Sequence, residues 1–149
     1  MYSRIICAID GSDLSNKALN HAFMLANKLG AELTAVTITD PAVMLMPGAD
    51  AIMVDTGAVA AELEKAKDAS AKAILANAEK LAAAAGVPLK TLHLPSMPAA
   101  EGIVRGAKDV GANLIVMGSH GRRGLGRLLL GSQAAEVLAH SDIPVLIVK

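Results

Sequence analysis

The sequence is poor in aromatic residues and carries no net charge. Aromatic side chains make up 1% of the 149 residues, namely Tyr2 and Phe23, and the formal net charge is zero. Proteins that bind single-stranded nucleic acid usually stack bases on aromatic side chains. A strongly basic surface is what draws nucleic acid or an anionic membrane. We therefore expect neither nucleic acid nor a membrane surface as a partner.

Cysteine is nearly absent as well. The single residue, Cys7, excludes a disulfide framework or a cysteine metal site within one chain. It lies inside an apolar run, so we expect a buried and unreactive thiol.

Long hydrophobic runs are missing too. None approaches the ~18 residues that a membrane-spanning helix needs. Residues 1–10 do not have the layout of a signal peptide. The sequence therefore predicts a soluble, cytoplasmic protein.

Short apolar runs alternate with helical patterns along the chain, which is 53% hydrophobic. The length fits one domain spanning residues 1–149. The runs predict five strands, at Arg4–Ile9, Leu33–Thr39, Leu89–Leu94, Leu114–Met117 and Pro144–Val148. Helical spacing predicts four intervening helices, around residues 18–29, 58–85, 98–111 and 132–139. This alternation is typical of an α/β fold with a parallel sheet covered on both faces.

Residues 40–57 have no regular pattern and contain two prolines and three methionines. Long loops in compact domains are often lids or interface segments. The segment is equally consistent with an apolar connector.

Polar and glycine-rich loops follow the first and fourth predicted strands. Asp10, Gly11 and Ser12 end the first, and Gly118 to Gly121 end the fourth. Ligands of open α/β sheets bind beyond the carboxyl ends of the strands, where the strand order reverses. If the order is 3-2-1-4-5, both loops face one crevice.

The stretch from Gly118 to Ser132 has the composition of an anion site. Glycine lets the backbone approach a phosphate, and the helix expected to start at Ser132 presents free N–H groups. Arg122, Arg123 and Arg127 add positive charge. The alternative is a surface turn before a capped helix. Neither a P-loop nor a dinucleotide-binding glycine motif is present.

The spacing of these glycines resembles the ATP-binding signature of the universal stress protein family. The signature is Gly118, two residues, Gly121, nine residues, then Gly131 and Ser132. Residues 4–12, 113–121 and 143–148 resemble the family's first, fourth and last strands. The resemblance implies an open five-stranded parallel sheet of order 3-2-1-4-5, Rossmann-like and of the adenine nucleotide alpha hydrolase-like type. It also implies bound ATP, with Mg²⁺ or Mn²⁺ bridging the phosphates.

The resemblance assigns roles by position. Asp10, in the turn with Gly11 and Ser12, lies near the ribose. The backbones of Ile38 and Met117 line the site, with Ile38 at the adenine edge. The phosphate positions are Gly118, Gly121, Gly131 and Ser132. Gln133 offers a further backbone N–H. His120 is a candidate ligand contact on a different ground, its place in the predicted phosphate loop, and a surface position is the alternative.

The last strand, residues 145–148, suggests a homodimer. The family often pairs subunits through this strand, and an exposed apolar edge strand favours pairing on physical grounds. The expected function is a nucleotide-dependent stress-response switch that acts on an unidentified protein partner.

Two alternatives remain open. One is a slow ATPase or phosphotransferase, for which His120 is the only candidate base close in sequence to the glycines. The other is an interaction module that does not use the loop. One departure from the family also bears on the site: the family often has a glycine after the third strand, where this chain has Leu94-Pro95-Ser96.

Overall fold

The structure is a computed structural model that describes residues 1–41, 56–121 and 130–149. The strands are β1 (Arg4–Ala8), β2 (Glu32–Thr39), β3 (Leu89–Pro95), β4 (Leu114–Gly118) and β5 (Val145–Val148). The helices are α1 (Asp13–Leu29), α2 (Thr56–Ala85), α3 (Ala99–Asp109) and α4 (Ser132–His140). Arg122, Arg123, Arg127 and most of the predicted 40–57 loop lie outside the described residues.

The strands form one parallel sheet of order β3-β2-β1-β4-β5. In register, Cys7 of the central strand pairs with Ala35 of β2 on one side and with Val116 of β4 on the other. The predicted fold class and strand order are confirmed. Consequently the β1–α1 and β4–α4 connections leave the sheet from neighbouring strands.

Each face of the sheet carries its own apolar layer. Ile5 and Cys7 point to the face covered by α1 and α2. Ile6 points to the face covered by α3 and α4, together with Ile115. Successive residues of a strand point to opposite faces, so a continuous apolar run fills both layers.

Several predicted boundaries differ from the structure. The sequence pattern predicts a loop at Thr56 and Gly57, but both belong to α2, and α3 begins at Ala99 with Pro98 as its N-cap. The pattern predicts Pro144 as the first residue of β5, but the strand begins at Val145. The Pro144 carbonyl still accepts a bond from Ile115 N–H. Proline has no N–H to donate to the ladder, which places it at the strand boundary.

The bend after β3 is made without glycine. Ser96 takes a left-handed φ of 56°, a conformation that side chains rarely adopt. The departure from the family pattern therefore leaves the turn in place, with Ser96 in a glycine-like conformation.

None of the helices in the described ranges is long and apolar enough to cross a membrane.

Candidate functional site

The turn after β1 holds the Asp10 carboxylate in a fixed position. Asp10 Oδ1 accepts a hydrogen bond from Ser12 N–H at 2.9 Å, and the intervening Gly11 has a left-handed φ of 81°. Ser12 is the N-cap of α1, and its Oγ accepts from Ser15 N–H at 3.2 Å. The Ser12 hydroxyl is thus used as a helix cap, while its N–H anchors Asp10 Oδ1.

The second oxygen of Asp10 faces the loop after β4. A β-carbon added at Gly121 would lie 3.0 Å from Asp10 Oδ2. One added at Gly118 would lie 3.1 Å from Leu14 Cγ, in the first turn of α1. The two polar loops therefore meet in one crevice, as the strand order predicts. The glycines let them approach each other, since any larger residue would fill the space between them.

Ser119 fixes the base of the β4 loop. Its N–H donates to Val148 O of β5 and its carbonyl accepts from Gly131 N–H, both at 2.8 Å. A β-carbon at Gly131 would lie 2.8 Å from that carbonyl oxygen and 3.2 Å from His120 Cα. Gly131 is thereby held directly beside the chain that carries Gly118 and Gly121.

His120 is oriented by its neighbour. Its Nδ1 lies 3.0 Å from Ser119 Oγ, and Ser119 is buried. Within the described ranges no residue bonds Nε2, so that nitrogen is the one left for a ligand. Sequence reasoning selected His120 but gave no reason for its orientation, which the buried serine provides.

The N-terminus of α4 has no capping side chain of its own. Its N-cap is Gly131, in an extended conformation. Ser132 and Gln133 follow as the first two residues of the helix and are exposed. The first N–H groups of a helix lack intrahelical partners and carry the positive end of the helix dipole. Such an end favours a phosphate.

The end of β2 is packed tightly against α3. A β-carbon at Gly102 would lie 2.6 Å from Ile38 Cγ1 and 3.1 Å from Met97 Sδ. Met97 N–H donates to Thr39 O at 3.3 Å. Sequence reasoning selected Ile38 but missed Met97 and Gly102. A glycine inside a helix with a strong apolar face was the available signal.

Two further predicted residues have clear positions. Met117 is buried in the layer under α3 and α4, and its backbone pairs with Ile147 of β5. The Gln133 side chain contacts a neighbouring helix: its Oε1 accepts a hydrogen bond from the N–H of Ala100 in α3 at 3.0 Å. The sequence pointed only to the backbone N–H of Gln133, so this side-chain contact was missed.

Cys7 takes no part in this crevice. It is fully buried in the layer under α1 and α2. Burial raises the pKa of its thiol from about 9.0 to about 12, because the low-dielectric interior disfavours the thiolate. The structure thus agrees with the expectation of a buried, unreactive thiol.

The whole chain matches a family of known proteins. A model of the universal stress protein family covers residues 1–149. Universal stress protein YxiE of Bacillus subtilis is 37% identical over 149 residues, and the match covers 100% of both chains. The structure of universal stress protein UspA from Lactobacillus plantarum has a TM-score of 0.84 at 26% identity, covering 99% of this chain and 98% of that one.

A solved structure of a universal stress protein in complex with cAMP is also similar. It has a TM-score of 0.71 at 29% identity and covers 99% of this chain and 97% of that one. With the family model and the relative in agreement over the full length, the chain belongs to the universal stress protein family.

Proposed function

We propose that this universal stress protein binds ATP in the crevice between the β1–α1 and β4–α4 loops and belongs to the ATP-binding subfamily. The observation that carries the proposal is the set of close approaches at Gly118, Gly121 and Gly131. At each of them a β-carbon would crowd a neighbouring group, namely Leu14, Asp10 Oδ2 or the Ser119 carbonyl. The loops after β1 and β4 and the start of α4 therefore come together around bare backbone, which a phosphate can approach. The N-terminus of α4, whose N-cap Gly131 has no side chain, lies beside this backbone and supplies N–H donors.

The nucleotide lies across three strand ends in this proposal. Its phosphates contact the glycines and the first turn of α4 through Ser132 and Gln133. Its ribose lies at Asp10, whose carboxylate is held by Ser12 N–H. Its adenine lies toward Ile38 and Met97, with Met117 lining the floor. The structure of a relative with cAMP supports an adenine nucleotide as the ligand class.

A divalent cation, Mg²⁺ or Mn²⁺, accompanies the ATP in this proposal. In the described part of the chain no three His, Cys, Asp or Glu side chains cluster as a metal site. In this proposal the ion is held chiefly by phosphate oxygens and water, which is how Mg²⁺ usually accompanies nucleotides.

The proposed role is that of a cytoplasmic regulator, a nucleotide-dependent switch in the stress response that acts on a protein partner. The proposed assembly is a homodimer formed through β5. That strand is the edge of the sheet, and its Leu146 is 37% exposed. An apolar edge strand presents unpaired backbone groups that a second copy can satisfy.

A slow ATPase is the second candidate, and one observation favours it. The structure brings the Asp10 carboxylate next to Gly121, and among the described residues none bonds His120 Nε2 on the loop that carries Gly121. Two groups that can accept a proton therefore adjoin the phosphate positions, whereas the sequence indicated only one.

The test is to identify the nucleotide that copurifies with the protein. Freshly purified protein is denatured, and the released small molecules are identified by mass, with Gly121→Val prepared in parallel. ATP that is lost in the variant supports the proposal. ADP or AMP supports the ATPase instead. An empty protein that also fails to bind added millimolar ATP contradicts both.

A further inference from the structure

One side chain ties the first turn of α4 to the first turn of α3. Gln133 is the second residue of α4, and its Oε1 accepts the Ala100 N–H bond at 3.0 Å. Ala100 is the second residue of α3 and is buried. Since the first N–H groups of a helix have no partner inside it, the Gln133 amide caps α3 from a neighbouring helix.

The local sequence of α3 does not supply such a cap. Its N-cap residue is Pro98, which makes no side-chain hydrogen bond to the helix. Serine, threonine, aspartate or asparagine would normally provide an oxygen at this position. The start of α3 therefore depends on an oxygen that comes from α4.

The same turn of α3 sets the adenine end of the proposed site. The contact between α3 and β2 is tight at Gly102, because a β-carbon added there would lie 2.6 Å from Ile38 Cγ1. Met97, just before α3, donates its N–H to Thr39 O. A small displacement of α3 would therefore move Ile38 and Met97 together, since closely packed interiors transmit such shifts.

We propose that Gln133 is a positioning residue that couples the phosphate end of the nucleotide site to its adenine end. From the helix that receives the phosphates, it holds α3 and thereby the residues around the adenine. The inference rests on the proposed function, because it requires a nucleotide that spans both ends. Its specific consequence is that adenosine, which has no phosphate, depends on the Gln133 side chain for tight binding.

Two substitutions separate the roles of this side chain. Gln133→Leu keeps the size but removes the acceptor, so adenosine binding weakens about three- to tenfold, the range that one lost hydrogen bond produces. Gln133→Glu keeps an acceptor for Ala100 N–H and adds a negative charge beside the phosphates. It leaves adenosine affinity within about twofold of wild type, while ATP binds more weakly because like charges repel.

The measurement is the dissociation constant of adenosine and of ATP for wild type and both variants. The matched control is Glu136→Leu, one turn further along α4 and lining the same α3–α4 groove. We expect it to bind both ligands as wild type does, because Glu136 does not bond Ala100.

Two results overturn the inference. In one, Gln133→Leu lowers the melting temperature but leaves adenosine affinity unchanged, which makes the contact merely structural. In the other, Gln133→Glu loses adenosine affinity as fully as Gln133→Leu does. If the wild-type protein binds neither adenosine nor ATP, that separate result contradicts the proposed function itself.

Discussion

Asp10 Oδ2 and Gly121 are close neighbours across the crevice, although they lie near opposite ends of the sequence. A β-carbon on Gly121 would lie 3.0 Å from that oxygen. The Asp10 side chain cannot move away without losing a hydrogen bond, because its Oδ1 accepts from Ser12 N–H at 2.9 Å. The width of the proposed nucleotide site at this point is thus set by one carboxylate and one missing side chain.

Gly121→Ala tests that relationship. Gly121 is exposed and does not have a left-handed φ, so its backbone conformation suits alanine and we expect the variant to fold. The added methyl group narrows the crevice, and we expect ATP affinity to fall at least about tenfold, or 1.4 kcal/mol. Isothermal titration measures the affinity and a thermal melt the stability.

Gly111→Ala is the matched control for that substitution. Gly111 has a φ of 61° and lies against the Arg4 side chain, at the amino ends of β1 and β4 and so at the end of the sheet opposite the proposed site. Alanine there should lower stability by about 1 kcal/mol without affecting ATP binding. Equal ATP affinity in wild type and Gly121→Ala would show that the crevice is not the site.

Ser96→Gly should stabilise the protein. Ser96 has a φ of 56°, where a β-carbon is strained and glycine is not. Part of the gain is offset by the greater flexibility of glycine in the unfolded chain, so we expect a net increase of about 0.5–1 kcal/mol in the free energy of unfolding. Urea denaturation measures it.

Ser70→Gly provides the comparison for that change. Ser70 is exposed inside α2, where glycine lowers stability by about 0.5–1 kcal/mol. If both Ser96→Gly and Ser70→Gly lowered the free energy of unfolding, the Ser96 conformation would carry no strain.

Cys7 should make the protein sensitive to alkaline pH. Its folded-state pKa is raised to about 12 by burial, above its unfolded value near 9.0. Below pH 9 the thiol is neutral in both states and has no effect. Between pH 9 and 12 only the unfolded chain loses the proton, so stability falls by about 1.4 kcal/mol per pH unit from this group.

Denaturation of wild type and Cys7→Ala across pH 8–11 measures this contribution. Cys7→Ala should be less stable at pH 8, because the substitution leaves a cavity. Its free energy of unfolding should fall less steeply with rising pH than that of wild type. Parallel declines would contradict the assigned pKa direction.

Leu146→Lys should convert the proposed dimer to a monomer. Leu146 is exposed on the edge strand β5, and a lysine on an edge strand opposes pairing with another chain. Light scattering after gel filtration measures the mass. Leu63→Lys is the control, because Leu63 is exposed on α2, which packs against β2 and β3, and the variant should remain dimeric. A wild-type monomer would refute the proposed assembly.

The sequence was sufficient to predict the fold because its signals are local. The cores of β1, β4 and β5 are continuous apolar runs. Gly30 caps α1 and Gly111 follows the C-cap of α3, both with left-handed φ values. The carboxyl ends of parallel strands share one edge, so polar loops after β1 and β4 could be placed together once the strand order was known. The resemblance provided that order, and the structure has it.

The missed features depend on side-chain direction and register. The Gln133–Ala100 contact joins two helices separated by a whole strand and loop, and no pattern on either helix points to it. The same holds for Gly102 against Ile38, where the packing of α3 on β2 fixes the distance. Ser96 was noted as a departure from the family, but only the backbone shows that it adopts the conformation of a glycine.

The most direct test of ATP binding is a titration of ATP with Mg²⁺ into nucleotide-free protein, carried to millimolar concentration. We expect saturation at one ATP per chain, with binding lost in Gly121→Val. Absence of saturable binding, or equal binding by wild type and Gly121→Val, would contradict it.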